Sequence, residues 1–130
     1  MADNGVKVPR LSLLWGGSCS FRGLRRHTSG SAWEMAFSSM NGWQARYINF
    51  QSGDRVCFQY GCQVEGGSLS AELIAPDGRT VLTWRDNAAE TTNLTPAVQG
   101  KHTVRVTADH ASGGFQLHLL PIDDQPIDRV

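Results

Sequence analysis

Four histidines, 12 acidic residues and three cysteines are the groups through which this chain of 130 residues could do acid–base, nucleophilic or metal chemistry. Catalysis needs a nucleophile and a base within hydrogen-bond reach, usually with a third group orienting the base. His27, His102, His110 and His118 are scattered instead, and no nucleophile elbow, phosphate loop, zinc-protease helix or dinucleotide fingerprint occurs. No catalytic residue and no cofactor are expected. Asp86, Asn87 and Glu90 share one loop whose oxygens would suit calcium, but they lack the spacing of a calcium loop, so no metal site is expected either. Cys57 and Cys62 lie five residues apart, which in one continuous strand separates their Cα atoms by about 16 Å. That excludes a mutual disulfide, and free thiols in a β core are the expectation. What remains is aromatic chemistry. Trp43 and Tyr47 share a strand face and stand about 13 Å apart along it, a spacing at which flat rings stack on alternate units of an extended ligand such as a glycan. Asn49 continues the same face with an amide. The competing expectation is that the second sheet or the N-terminal arm covers both rings.

The elements that would position these side chains are strands. Val56, Phe58, Tyr60, Cys62 and Val64 alternate with Cys57, Gln59, Gly61 and Gln63, and a period of two puts the first set on one face. Gly66-Gly67 interrupts the run, and alternation resumes at Leu69, Ala71, Leu73 and Ala75. Pro76-Asp77-Gly78 is a turn with a mechanism: proline presets φ, aspartate bonds its own backbone and glycine accepts positive φ. Val81 to Trp84 is then the return strand, followed by a weaker strand near Thr91 to Leu94. His102, Val104, Val106 and Ala108 alternate with polar residues, as do Phe115, Leu117 and Leu119. Read as one hairpin, these last two runs pair Val106 with Leu117 and set Arg105 opposite His118.

Residues 32–50 admit two readings. Trp33, Ala36, Phe37 and Met40 have helical spacing, with Ser31 and Glu34 as a capping box and Gly42 as a stop. Asn41-Gly42 is also a strong two-residue hairpin signal. The hairpin is preferred, because it pairs Met40 with Trp43, Met35 with Ile48 and Trp33 with Phe50 in one register. Its second face would carry Glu34, Ala36 and Met40 beside Trp43, Tyr47 and Asn49.

The whole pattern reads as an all-β, antiparallel two-sheet β-sandwich, jelly-roll-like, of about seven to eight strands. The length suits one domain. Three segments are expected: residues 1–31 as an N-terminal arm or degenerate signal and linker, 32–120 as the sandwich, and 121–130 as an extended acidic tail. Lysine plus arginine balance aspartate plus glutamate at 12 each, so no global field attracts nucleic acid. No segment approaches the roughly 20 apolar residues of a membrane span. Arg22, Arg25, Arg26 and His27 make a short basic run, read as a solvated linker, or more sharply as an attractor for anionic headgroups or an acidic polymer.

The motifs Met40-Asn41-Gly42, Phe50 through Val56, Val64 through Leu73, Pro76-Asp77-Gly78, and Gly100 onward to Leu117 resemble small extracytoplasmic β-sandwich domains of bacterial lipoproteins, and more loosely pre-peptidase C-terminal domains. The resemblance implies a cell-envelope location and a lipid anchor on Cys19, which follows the apolar stretch 11–15 and a glycine-serine segment. The expected function is a non-enzymatic binding or assembly module with Trp43, Tyr47 and Asn49 as contact residues and a glycan or protein as partner. The alternative is a structural or accessory domain whose strand edges pair with another chain. Oligomeric state is not legible.

Overall fold

A computed structural model describes residues 8–13 and 15–122; the first seven residues of the expected arm and the expected tail beyond residue 122 lie outside them. The described chain is all-β: β1 (Gly16–Arg22), β2 (Arg25–Ser29), β3 (Ala32–Phe50), β4 (Val56–Ile74), β5 (Thr80–Trp84), β6 (Ala89–Leu94) and β7 (Gly100–Leu120). All seven strands belong to one antiparallel hydrogen-bonded sheet, in the order β1-β3-β7-β4-β5, with β2 beside β3 and β6 beside β4. The sheet does not close.

Three of these strands are long, at 19, 19 and 21 residues for β3, β4 and β7, and each is irregular near its middle. Register shifts fall between Phe37 and Gly42 on β3 and between Val64 and Ser68 on β4, opposite Asp109 to Gly113 of β7. Along this bulge line the sheet folds over. The first halves of β3 and β4 and the second half of β7, flanked by β2 and β6, make one layer. The remaining halves, flanked by β1 and β5, make the other. Trp84 of β5 shows that the layers face each other, since its ring lies 5.4 Å from Phe58 and 5.5 Å from Tyr60, both on the opposite half of β4.

The bulges also correct the side-chain parity. On β4 the buried residues are Val56, Phe58, Tyr60 and Cys62 before the bulge, and Leu69, Ala71 and Leu73 after it. On β7 they are His102, Val104, Val106 and Ala108, then Ala111, Phe115, Leu117 and Leu119. On β3 the inward buried set passes from Trp33, Met35 and Phe37 to Met40, Arg46, Ile48 and Phe50, while Ala45, on the outward side between Gly16 and Arg105, is buried as well. Each strand switches from even to odd or the reverse, because one extra residue in a strand of period two moves every later side chain to the other face.

Both hairpins expected at these places are therefore absent. Asn41-Gly42 and the 109–114 stretch are bulges within continuous strands, so Trp33 pairs with Leu117 and Val106 with Gln44 and Ala71. Arg105 faces Glu72, at 2.9 Å, and His118 bonds Glu34, at 2.6 Å. The helical alternative over 32–40 is absent too, since β3 runs through it. The Asn41 carboxamide accepts the His110 N–H at 3.1 Å; bulges orphan backbone donors, and a short polar side chain supplies the acceptor. Pro76-Asp77-Gly78 does reverse the chain, with Gly78 N–H donating to Ala75 C=O and Arg79 N–H to the Asp77 carboxylate.

The segment expected as an arm is part of the fold. β1 and β2 pair with β3, and ahead of them Leu11 is buried and bridges to Ile48. Arg46 ties these pieces together. It is fully buried (0% exposed) and donates from Nε to Ser12 C=O at 2.8 Å, from Nη1 to Ala32 C=O at 3.0 Å and from Nη2 to Ser29 C=O at 2.7 Å. Its guanidinium lies 5.4 Å from the Trp15 ring and 5.5 Å from the Trp33 ring. Loss of water lowers its pKa to about 10, so it stays charged at neutral pH. The main-chain carbonyls and ring faces replace its hydration.

Two stability outcomes follow from this architecture. Arg46→Met strands three carbonyls, and urea denaturation should show a loss of about 3 kcal/mol or more; a loss below about 1 kcal/mol would refute the clasp. Gly67 has φ +71 and a Cβ there would run into the His110 carbonyl, whereas neighbouring Gly66 has open space. Gly67→Ala should therefore cost about 2 kcal/mol and Gly66→Ala under about 0.5 kcal/mol. Equal costs would contradict the bulge geometry.

Candidate functional site

With the inner faces filled, contact chemistry has to lie on the two outer faces. On the second half of β3 the inward set is Arg46, Ile48 and Phe50, so Trp43, Tyr47 and Asn49 point outward together. Trp43 is 40% exposed, while Trp33 and Trp84 are buried. Cross-strand pairing puts Ser18 on one side of Trp43 and Thr107, then Ser70, on the other. The indole thus stands in a row of hydroxyls. Tyr47 is half-buried and leans across β1, so that a Cβ on Gly16 would meet its hydroxyl. The Lys101 ammonium lies 4.3 Å from the Tyr47 ring centroid, occupying one face of that ring. Asn49 is exposed and pairs with Lys101.

Glu34, Ala36 and Met40, expected beside these residues, are elsewhere. Met40 is buried, because the bulge turned its side chain inward. Glu34 and Ala36 lie on the outer face of the other layer, where an open groove of about 1210 Å³ crosses the strands. Its lining includes Arg25, Arg26 and His27 from β2, Glu34 and Ala36 from β3, Gly114 and Gln116 from β7, Gly61 and Gln63 from β4, and Ala89 from β6. Sequence reasoning missed this groove. Its members are spread over five strands, and the only linear trace was the basic run in β2 together with small residues at alternate positions.

Other sequence candidates have structural work. Asn87 accepts the Val64 N–H at 2.9 Å and Asp86 the Leu69 N–H at 3.4 Å, so two of the three calcium-type side chains bond the backbone around the β4 bulge. Among the described residues no cluster of three or more histidine, cysteine or acidic side chains could hold a metal. Cys19, Cys57 and Cys62 are free thiols. Cys62 is buried and its pKa is raised by loss of water. Cys19 is half-buried in the middle of β1 opposite Gly42, with its pKa likewise raised by burial. A lipid there would have to be carried by a residue within an edge strand paired to β3. His102 is buried, its Nδ1–H donating to Gly100 C=O at 3.0 Å and its ring edge-on to Phe50, which fits its place in the alternating apolar run.

No family model matches the chain, and no curated protein matches it. Among solved structures it is similar to TmCBM61 in complex with β-1,4-galactotriose, with a TM-score of 0.50 and 10% identity over 83% of this chain and 88% of that one. It is less similar to a mutant of CBM29-2, a family 29 carbohydrate-binding module complexed with mannohexaose, at TM-score 0.42 and 13% identity over 88% and 91%. The family 11 carbohydrate-binding module of cellulosomal cellulase Lic26A-Cel5E of Clostridium thermocellum follows, at 0.38 and 13% over 95% and 100%. At such identities the likeness establishes the β-sandwich fold. These neighbours are carbohydrate-binding modules rather than the lipoprotein sandwiches that the sequence motifs resemble.

The exposure difference among the tryptophans is directly measurable. Acrylamide quenching should report one readily quenched indole population, and Trp43→Phe should remove most of it while leaving the fluorescence of the half-buried Trp15 and the shielded Trp33 and Trp84. An unchanged quenching profile would mean that Trp43 is covered in solution.

Proposed function

We propose that this protein is a non-catalytic glycan-binding module that holds a sugar chain against Trp43, with Tyr47 and Asn49 extending the contact along β3. The observation that carries the reading is the exposed indole set in a row of Ser18, Thr107 and Ser70 hydroxyls. A pyranose ring presents C–H groups on its face and hydroxyls at its edge. An indole surrounded by short hydroxyl side chains on a rigid sheet matches both at little conformational cost. The structural likeness to TmCBM61 in complex with β-1,4-galactotriose supports the class of ligand without assigning residues.

Binding rather than turnover fits the outer face. On it Arg105 and Glu72 are engaged with each other at 2.9 Å and the Lys101 ammonium covers the Tyr47 ring; His102 points into the core, His118 lies on the other layer, and the exposed His110 at the bulge is engaged with Asp109 at 2.8 Å.

Affinity electrophoresis in gels carrying soluble neutral polysaccharides, β-1,4-galactan first, tests the reading. Wild-type protein should be retarded by at least one of them. Trp43→Ala should weaken that retardation about tenfold, equivalent to about 1.4 kcal/mol, with unfolding stability changed by under about 1 kcal/mol because the residue is exposed. Retardation undiminished in Trp43→Ala, or none in any gel, would defeat it.

A further inference from the structure

We infer that the groove on the opposite layer is a second binding site, built for an anionic glycan chain. Its floor is two cross-strand rows. One runs Arg25, Ala36, Gly114, Gln63, and the next runs His27, Glu34, Gln116, Gly61, Ala89. Alanine and glycine keep the floor low, and four inter-strand spacings of about 4.8 Å make it roughly 19 Å across. A trough of that shape takes a linear chain lying across the strands.

The chemistry of its walls selects the charge. Arg25, Arg26 and His27 form the β2 wall, and both Arg25 and His27 are exposed and point to the groove side, as shown by their pairing with Ala36 and Glu34. Arg26 points the other way in the strand and stacks on Trp15 at 5.3 Å, leaving its charge at the same rim. The floor carboxylate of Glu34 is already engaged by His118 at 2.6 Å. Glu65 lines the groove as well, with Gln63, Val64 and Asn87 rather than beside β2. The β2 wall therefore offers a guanidinium fork to a carboxylate or sulfate, and the Gln63 and Gln116 amides offer paired donors and acceptors to hydroxyls. The face of this layer presents no exposed aromatic ring, so its ligand is held by charge and hydrogen bonds. This separates it from the Trp43 face, which stacks. A low row of alanine and glycine crossing five strands also suits a linear chain better than a flat anionic bilayer.

The test uses NMR titration of the isotopically labelled full chain with three oligosaccharides of equal length: an oligogalacturonate, its methyl ester and a sulfated galactan fragment. An anionic-lipid vesicle arm runs beside them. The expected result is binding of one or both charged sugars with shifts centred on Gly61, Gly114 and Gln116. The ester should bind at least tenfold more weakly, and affinity should fall as salt rises. Preference between carboxylated and sulfated sugars identifies the source of the charge. Arg25→Glu should weaken binding at least tenfold and Arg25→Lys less, whereas Trp43→Ala should leave it unchanged. The inference is overturned by equal binding of acid and ester, by shifts confined to the Trp43 face, by insensitivity to Arg25→Glu, by a response to vesicles alone, or by no binding at millimolar sugar. Because Arg25 is exposed, unchanged amide spectra elsewhere will show that the variants are folded. Failure here leaves the neutral-glycan reading of the other face intact, and the reverse also holds.

Discussion

The structure depends on keeping one apolar face inside while three strands pass from one layer into the other. A strand of period two that simply continued would, after an added residue, turn its core side chains to solvent. β3, β4 and β7 meet this constraint together, with their bulges side by side along one line of the sheet. Once they do, Trp33, Phe58 and Leu117 in one layer and Ile48, Leu73 and Val106 in the other share a single interior. The line has its own polar chemistry. Bulges leave main-chain donors without ladder partners, and Asn41 of β3 and the adjacent Asp86 and Asn87 of the β5–β6 loop supply the missing acceptors from two different parts of the chain.

Arg46 is the counterpart of that line at another place in the core. Burying a guanidinium is costly, and its desolvation shows in a lowered pKa. Three carbonyls and two indoles meet it there. Those partners belong to the segment before β1, the end of β2 and the start of β3. The charge therefore recruits the N-terminal part of the chain to the sandwich. That is why residues whose composition suggested a linker become two strands at the sheet edge. Leu11 and Ser12 run alongside β3 at Ile48 and Tyr47, and Trp43 is left exposed.

Two outer faces of different character result. On one, a lone exposed indole stands among hydroxyls, suited to the flat apolar side of a sugar. On the other, small residues keep a trough low beside Arg25, Arg26 and His27 of β2, with the Gln63 and Gln116 amides along its floor. They share β3, β4 and β7, so each is held by the same rigid strands, and neither needs a mobile loop to be complete.

Alternation of apolar residues, the Pro76-Asp77-Gly78 turn, the buried free thiol of Cys62 and the core position of His102 were all legible in the sequence. They are local properties, set by side-chain period, turn chemistry and burial. The outward pointing of Trp43, Tyr47 and Asn49 was legible for the same reason. Glycine positions were not, because a glycine can equally reverse a chain or bulge it. Gly42, Gly67 and Gly113 have positive φ in either case, and only the neighbouring strand distinguishes them. By itself the sequence determined that this is an antiparallel β protein with one apolar face per strand. The tertiary structure alone decided that 32–50, 56–74 and 100–120 are single strands, that Arg46 is inside, and that Arg25, Glu34, Gln116 and Gly61 line one groove, since pairing between residues so far apart in the chain follows from cross-strand register and not from any local preference.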